Sequence, residues 1–319
     1  MVAQKNCRVN KTYAKIVVKS TKLCYTVLRH GKDSARQRKF ATKEIIMIAI
    51  ITDSSSNITQ SEGKQLGITV MPLTIIFGAD EYRDGVDIDE AKFYQKLTTE
   101  KSFPHTAQLT MEQIETAVAD ALTKADEVLL MPISSALSGS YERCVTVANK
   151  YDNVYAFDGK ATTIMLKMLV LKAVQNVDKS AKELIQILTD YRKRIKLFAA
   201  LDTLEYLGKG GRISKTTATI GNLLKVKPVI IINDKGEVEV VSKQHGIIKG
   251  MNYIVEQFVH DDVDYDEPLH ILYSMTRDNS NKLVEKLGIG EHIASEICPV
   301  IGAHVGPNLA GVVYVRKEK

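Results

Sequence analysis

Several short segments of this 319-residue chain bring hydroxyl, imidazole and guanidinium groups to places where the backbone turns. ISSALSGSYERC (133–144) runs from a strand-like start through a serine-rich turn into a helix expected to begin near Ser138 or Gly139. Hydroxyls and free amides at a helix start attract anions, aided by the helix dipole. A Ser138 that merely caps its helix satisfies the same pattern. FPHTAQLT (103–110) places Pro104 and Thr106 in a loop between two expected helices, where Thr106 donates to a ligand, caps a helix or faces water. GKGGRISK (208–215) lacks the GK[ST] ending of a phosphate-binding loop. It offers Arg212 on a glycine frame, suited to phosphate or carboxylate, unless it is only a helix connector. IGAHVGPN (301–308) holds His304 in a glycine-rich turn with too few apolar residues for a strand; a lone histidine is commonly structural. DSSSN (53–57) sets Asp53 and Ser54 at a strand's carboxyl end, where α/β proteins place ligands. No second acid follows at Asp-x-Asp spacing, so Asp53 reads as a cap or hydrogen-bond organiser. The sequence offers no metal cluster, paired acids or Ser-His-Asp signature, and the set suits gripping an anionic head group better than cutting a bond.

These side chains need a frame, and the apolar pattern supplies one. Strand-like runs at 48–52, 68–77 (interrupted by Pro72), 127–133, 153–157 and 196–201 alternate with helical stretches. Thr110 to Gln113 and Ser180 to Glu183 have capping-box spacing and predict helices over 111–123 and 181–194; another helix is expected near Asp89. That alternation predicts an α/β domain over 47–197, a mainly parallel sheet flanked by helices. Beyond about residue 200 the pattern changes to a hairpin over 227–241, a helix, a strand at 270–275, a helix at 279–287 and strands near 293–298 and 311–315. A smaller α+β domain over 198–319 is the expectation.

Composition is that of an ordinary globular protein, 45% hydrophobic and 25% charged. No apolar run approaches the roughly 20 residues of a membrane span, which predicts a soluble, cytoplasmic protein. The net charge of +5 is unevenly spread: residues 1–46 carry +10 and the remainder −5. The body therefore lacks the basic character of a nucleic-acid binder. The basic leader is expected to lie outside the fold, with translation starting at Met47; intact mass of the native protein tests that. Cys7 and Cys24 fall in the leader, while Cys144 and Cys298 are isolated and read as reduced thiols.

From Met47 to about Val315 the chain resembles the DegV family, the fatty-acid-binding subunits of bacterial fatty-acid kinase. The resemblance rests on IITDSSSNIT, VMPLTIIFGADEYRDGVDIDEAKFYQKL, FPHTAQ, ISSALSGSY, LEYLGKGGRIS, LLKVKPVI and IGAHVGPN, in that order. It implies a two-domain α/β protein that buries one long-chain fatty acid in an apolar tunnel, with no cofactor, and is not itself an enzyme. By motif, Thr106, Ser138 and His304 hold the carboxylate, and Arg212 lies near the head group and the docking face. Asp53, Ser54, Ser135 and His245 take supporting or partner-docking places. An ATP-dependent kinase subunit is the implied partner, making an acyl phosphate for phospholipid synthesis. Nucleic acid is not an implied partner, and transient membrane contact is allowed.

Departures from the family pattern are specific. Ala107 stands where a serine is usual and Leu109 where proline is common; Gly159 replaces serine. Met165 stands where glycine is usual and is expected to shorten or bend the tunnel. His245 occupies the place of an arginine, which weakens the expectation of intact kinase docking. Two other readings stay open. One is a hydrolase using Ser135 or Ser138, although neither lies in G-x-S-x-G; the other is nucleic-acid binding through the leader.

Overall fold

A computed structural model describes residues 47–213 and 226–318. The leader, with Cys7 and Cys24, lies outside the described residues.

The first half begins with β1 (Ile48–Asp53), whose last four residues are buried. A 3-10 turn at Ser54–Ser56 follows, then α1 (Gln60–Leu66) and β2 (Thr69–Met71). β3 (Thr74–Phe77) and β4 (Asp80–Arg83) form a hairpin that the sequence pattern did not reveal beyond β3. α2 (Glu90–Thr99) is capped by Asp89. β5 (His105–Ala107) leads to α3 (Met111–Leu122), β6 (Glu127–Met131), α4 (Ser140–Ala148), β7 (Val154–Ala156), α5 (Thr163–Val174) and α6 (Ala181–Arg194). Both expected capping boxes form. Thr110 and Gln113 exchange hydrogen bonds of 2.8 and 3.1 Å, and Ser180 and Glu183 do the same at 2.9 and 3.4 Å.

The second half runs through β8 (Ile195–Ala200), α7 (Glu205–Lys209), β9 (Lys227–Ile232), β10 (Val238–Gln244), α8 (Ile247–His260), β11 (His270–Tyr273), α9 (Asp278–Leu287), β12 (Ile293–Glu296), α10 (Pro299–Val305) and β13 (Ala310–Val315). The sheets have strand orders β2-β1-β6-β7, all parallel; β10-β9-β8-β13-β11-β12, mixed; and β4-β3-β5, antiparallel. This is the mixed α/β architecture the alternation predicts, with a parallel sheet followed by a second, mixed one. Pro72 divides the segment read as one interrupted strand between two sheets. β2 joins β1, whereas β3 turns away to pair with β4 and β5. Proline cannot donate to a ladder, so the chain changes partners there.

Three local expectations need correction. Thr106 is not in a loop: it sits mid-strand in β5, opposite Ile75. The helix after the serine-rich turn starts at Ser140, two residues beyond Ser138, because Gly139 is its cap position. His304 is not in a turn but in the last turn of α10, which has Pro299 at its start and Gly306 (φ 73°) at its end. Gly302 inside that helix is set by packing, since a Cβ there would lie 2.7 Å from the Phe93 ring and 2.8 Å from the Tyr94 hydroxyl.

Buried carboxyls tie these pieces together. Asp53 is fully buried; Oδ2 accepts from the Ile133 amide at 2.8 Å, and Oδ1 accepts from the Ser55 amide at 2.9 Å and from the Ser55 hydroxyl. Asp53 is thus the organiser its position suggests. Burial outweighs those bonds and pushes its pKa up to about 6. Asp84, 1% exposed and with no close hydrogen bond to either oxygen, is pushed by burial to about 7. Between the ordinary value of 3.8 and these raised values the folded state holds more protons than the unfolded chain. The contribution of both groups to stability is complete near pH 4 and falls as pH rises through 6 to 7. Asp84→Asn is therefore expected to flatten this decline in urea unfolding measured across that range; an unchanged slope refutes it.

Candidate functional site

The three sheets and α10 enclose a cavity of about 810 Å³, open space at its mouth included. Its walls come from both halves of the chain: Leu73 and Ile133 from the first, and Leu197, Ile230, Ile232 and Val238 from the second sheet. The burial of these side chains leaves a greasy channel between the layers, with polar groups confined to a few positions. Thr106, Ser138, Arg212 and His304 all line it. Residues 198 positions apart meet here, as Thr106 Oγ1 and His304 Nε2 are 2.8 Å from each other.

The bonding around these groups assigns their protons. His304 Nδ1 is buried without a hydrogen-bond partner, against Gly210, where a Cβ would lie only 2.4 Å from it. A buried orphan N–H is costlier than an orphan lone pair, so the proton belongs on Nε2, which donates to Thr106. The Thr106 hydroxyl proton is then free for another acceptor. Ser138 follows the same logic. Its Oγ accepts from the Ser140 amide at 3.2 Å and lies 3.0 Å from Ser140 Oγ, which itself accepts from the Leu109 amide at 3.2 Å. Each oxygen accepts one amide, but Ser140 is fully buried whereas Ser138 lines the cavity, so the arrangement that leaves no buried proton unpaired has Ser140 donate to Ser138 and the Ser138 proton face the cavity.

Arg212 adds charge. Its guanidinium donates to the carbonyls of Leu137 and Gly210 and, among the described residues, has no carboxylate partner. Burial first, then the positive charges of Arg212 and His105, push His304 down to about 4, so its ring is neutral near neutral pH. Two hydroxyl donors and one cation without a carboxylate partner among the described residues converge on one end of an apolar cavity. A carboxylate or similar anion fits that end, whereas an unpaired buried anion elsewhere in the wall would be prohibitively costly.

Asp53 and Ser54 stand behind the wall rather than in it. Asp53 fixes Ile133, and Ser54 Oγ accepts from the Leu73 amide at 3.1 Å, so each holds a wall residue. Ser135 does not line the cavity; its hydroxyl accepts from Lys160 Nζ at 2.8 Å, and Lys160 pairs with Asp158 at 2.6 Å. His245 is exposed in the turn between β10 and α8, away from the wall. Met165, expected in the tunnel, is fully buried in α5 and does not line it; Thr162 and Thr163 at the start of that helix do. The hydrolase alternative finds no support: Ser138 bonds to Ser140 and His304 to Thr106, so neither serine is paired with the histidine, and the Lys160 beside Ser135 is held as a cation by Asp158. Sequence reasoning missed Gly210, although it sits in the same glycine run as Arg212, and it missed Thr162, which carries no motif of its own.

The comparison with known proteins decides the family. Residues 47–317 match the family model described as "Uncharacterised protein, DegV family". The chain belongs to the DegV family. A DegV domain-containing protein of Caldanaerobacter subterraneus subsp. tengcongensis is 33% identical over 279 residues, covering 85% of this chain and 99% of the relative. The DegV fold recurs in a solved structure described as fatty acid binding of a DegV family protein from Thermus thermophilus. It is 28% identical with a TM-score of 0.77, covering 85% of this chain and 100% of that one. A stearic acid-binding protein from Eubacterium ventriosum is also similar, at 25% identity and TM-score 0.73, with 85% and 99% covered. Among the described residues no helix is long and apolar enough to cross a membrane.

The charge relation at this DegV site is testable. Replacing Arg212 with Gln removes a positive neighbour and is expected to raise the His304 pKa from about 4 toward its ordinary 6.5, read by NMR titration of the ring. An unmoved titration would show that Arg212 does not face the imidazole.

Proposed function

We propose that this protein binds one long-chain fatty acid in the cavity and presents its carboxylate to an ATP-dependent kinase subunit. The observation that supports the reading best is the unpaired donor set at one end of an otherwise apolar channel: the free protons of Thr106 and Ser138 beside Arg212. In this reading both hydroxyls donate to the carboxylate, Arg212 balances its charge, and His304 holds the Thr106 hydroxyl in its donating orientation. The tail displaces water from the apolar wall at about 0.8 kcal/mol per buried methylene, a large gain that ordering and association costs only partly offset. The partner supplies ATP and transfers its terminal phosphoryl group to a carboxylate oxygen, giving acyl phosphate and ADP as a precursor for phospholipid synthesis. This chain supplies the bound acid, not the phosphoryl chemistry, and acts in the cytoplasm. Arg212 and the exposed His245 are the residues we assign to the docking side.

A fatty acid is expected to co-purify and to be identified by mass spectrometry of denatured protein. Repeated recovery of lipid-free protein that also ignores added fatty acid would overturn the reading. Thr106→Ala, which removes a hydrogen bond to the carboxylate, and His304→Ala, which frees the Thr106 hydroxyl from its donating orientation, are each expected to weaken retention by about 1–3 kcal/mol, measured by displacement of a fluorescent fatty acid. Affinity unchanged from the original protein in both variants would place the head group elsewhere.

A further inference from the structure

Thr162 is 5% exposed, lines the cavity, and has a hydroxyl with no hydrogen-bond partner. It occupies the cap position of α5 with extended backbone (φ −149°, ψ 170°), where a threonine ordinarily accepts from an amide of the first turn, yet it makes no cap bond. The next residue explains why. Thr163, the first of the helix, is left-handed at φ 47°, a conformation strongly disfavoured for a β-branched side chain. It is held there by its hydroxyl, which donates to Asn57 Oδ1 at 3.1 Å. Asn57 is itself left-handed at φ 59°, accepts from the Cys298 amide at 3.0 Å, and donates to the Glu296 carbonyl at 2.6 Å. A strained backbone and an orphaned hydroxyl thus coincide in a wall that is otherwise mainly apolar. Strain of this kind persists where surrounding structure enforces it, commonly at ligand sites.

The same bonds locate Thr162 relative to the head group. Cys298 is the cap residue before α10 and His304 lies in the last turn of that helix. At 1.5 Å per residue the two ends are roughly 9 Å apart along the helix. Thr163 is tied through Asn57 to the first end, and Thr106 is tied to His304 at the other. An acyl chain anchored at Thr106 would pass Thr162 several methylenes from its carboxylate. A plain hydrocarbon chain offers nothing to the Thr162 hydroxyl there, and leaves it desolvated and unpaired. An oxygen on the chain at that depth satisfies it.

We infer that the preferred ligand is an acyl chain bearing a hydroxyl group partway along its length, recognised by Thr162 Oγ1. The inference rests on the carrier reading above and names the substrate class for the same cavity. Delipidated full-length protein is titrated with octadecanoic acid and with a series of monohydroxyoctadecanoic acids whose hydroxyl steps along the chain. One position is expected to bind about tenfold more tightly than the parent acid, the value of one added hydrogen bond, with its neighbours in the series weaker. In Thr162→Val, which keeps the shape and removes the hydroxyl, the ratio collapses to about one; in Thr162→Ser the advantage remains. A series in which no hydroxylated acid outbinds octadecanoic acid overturns the inference but leaves the carrier reading intact. An advantage that survives in Thr162→Val overturns it too. The wild-type series decides by itself if the valine variant does not fold. Failure of every acid to bind defeats the carrier reading and this inference with it.

Discussion

The contact between Thr106 and His304 is the interaction on which the arrangement of the cavity turns. It joins the edge of the small antiparallel sheet to the end of α10, across 198 residues. Neither partner is held there by that contact alone. β3 and β5 set the strand through their ladder, while Phe93 and Tyr94 close against Gly302 to seat the helix. Gly210 then comes close enough to His304 that no larger residue fits between them. The imidazole is neutral because it is dry and has cationic neighbours, which lets it serve as a donor to a hydroxyl rather than as a competing charge.

The donors at one end and the apolar wall place opposite demands on the fold, and the sheets separate them. Polar groups arrive on β5, on the turn before α4 and on the segment after α7. The wall arrives on strands whose side chains are buried on the inner face. Behind both stand Asp53 and Ser54, which hold the Ile133 and Leu73 amides and so fix the position of wall residues without touching the cavity. Burial of Asp53, which secures its turn and the Ile133 amide, and of Asp84, which has no close partner, makes that scaffold sensitive to pH from the inside.

Much of the frame was legible in the sequence because it rests on local rules. The capping boxes at Thr110 and Ser180 mark their helices to within a residue, and the apolar runs from 48, 127 and 196 each became a strand. What escaped depends on distant partners. α10 contains a proline and a glycine in seven residues, with a second glycine at its end, and is stabilised by contact with α2, not by propensity, so a turn was the natural expectation. β5 has only three residues, too few for alternation to show. The chemical types at Thr106, Ser138, Arg212 and His304 were readable, but their proton assignments were not. Those follow from neighbours such as Ser140 and Gly210 that no motif connects to them. Thr162 was invisible because its significance lies in a bond it fails to make.

The place of β13 carries a further consequence for how the molecule is made. This strand is the last in sequence among those described, yet it lies inside the mixed sheet between β8 and β11. During synthesis, β8 emerges more than a hundred residues before the neighbour that completes its ladder. That sheet cannot close, nor the channel that depends on it form, until β13 has been made. The parallel sheet, whose strands all precede residue 157, is under no such delay.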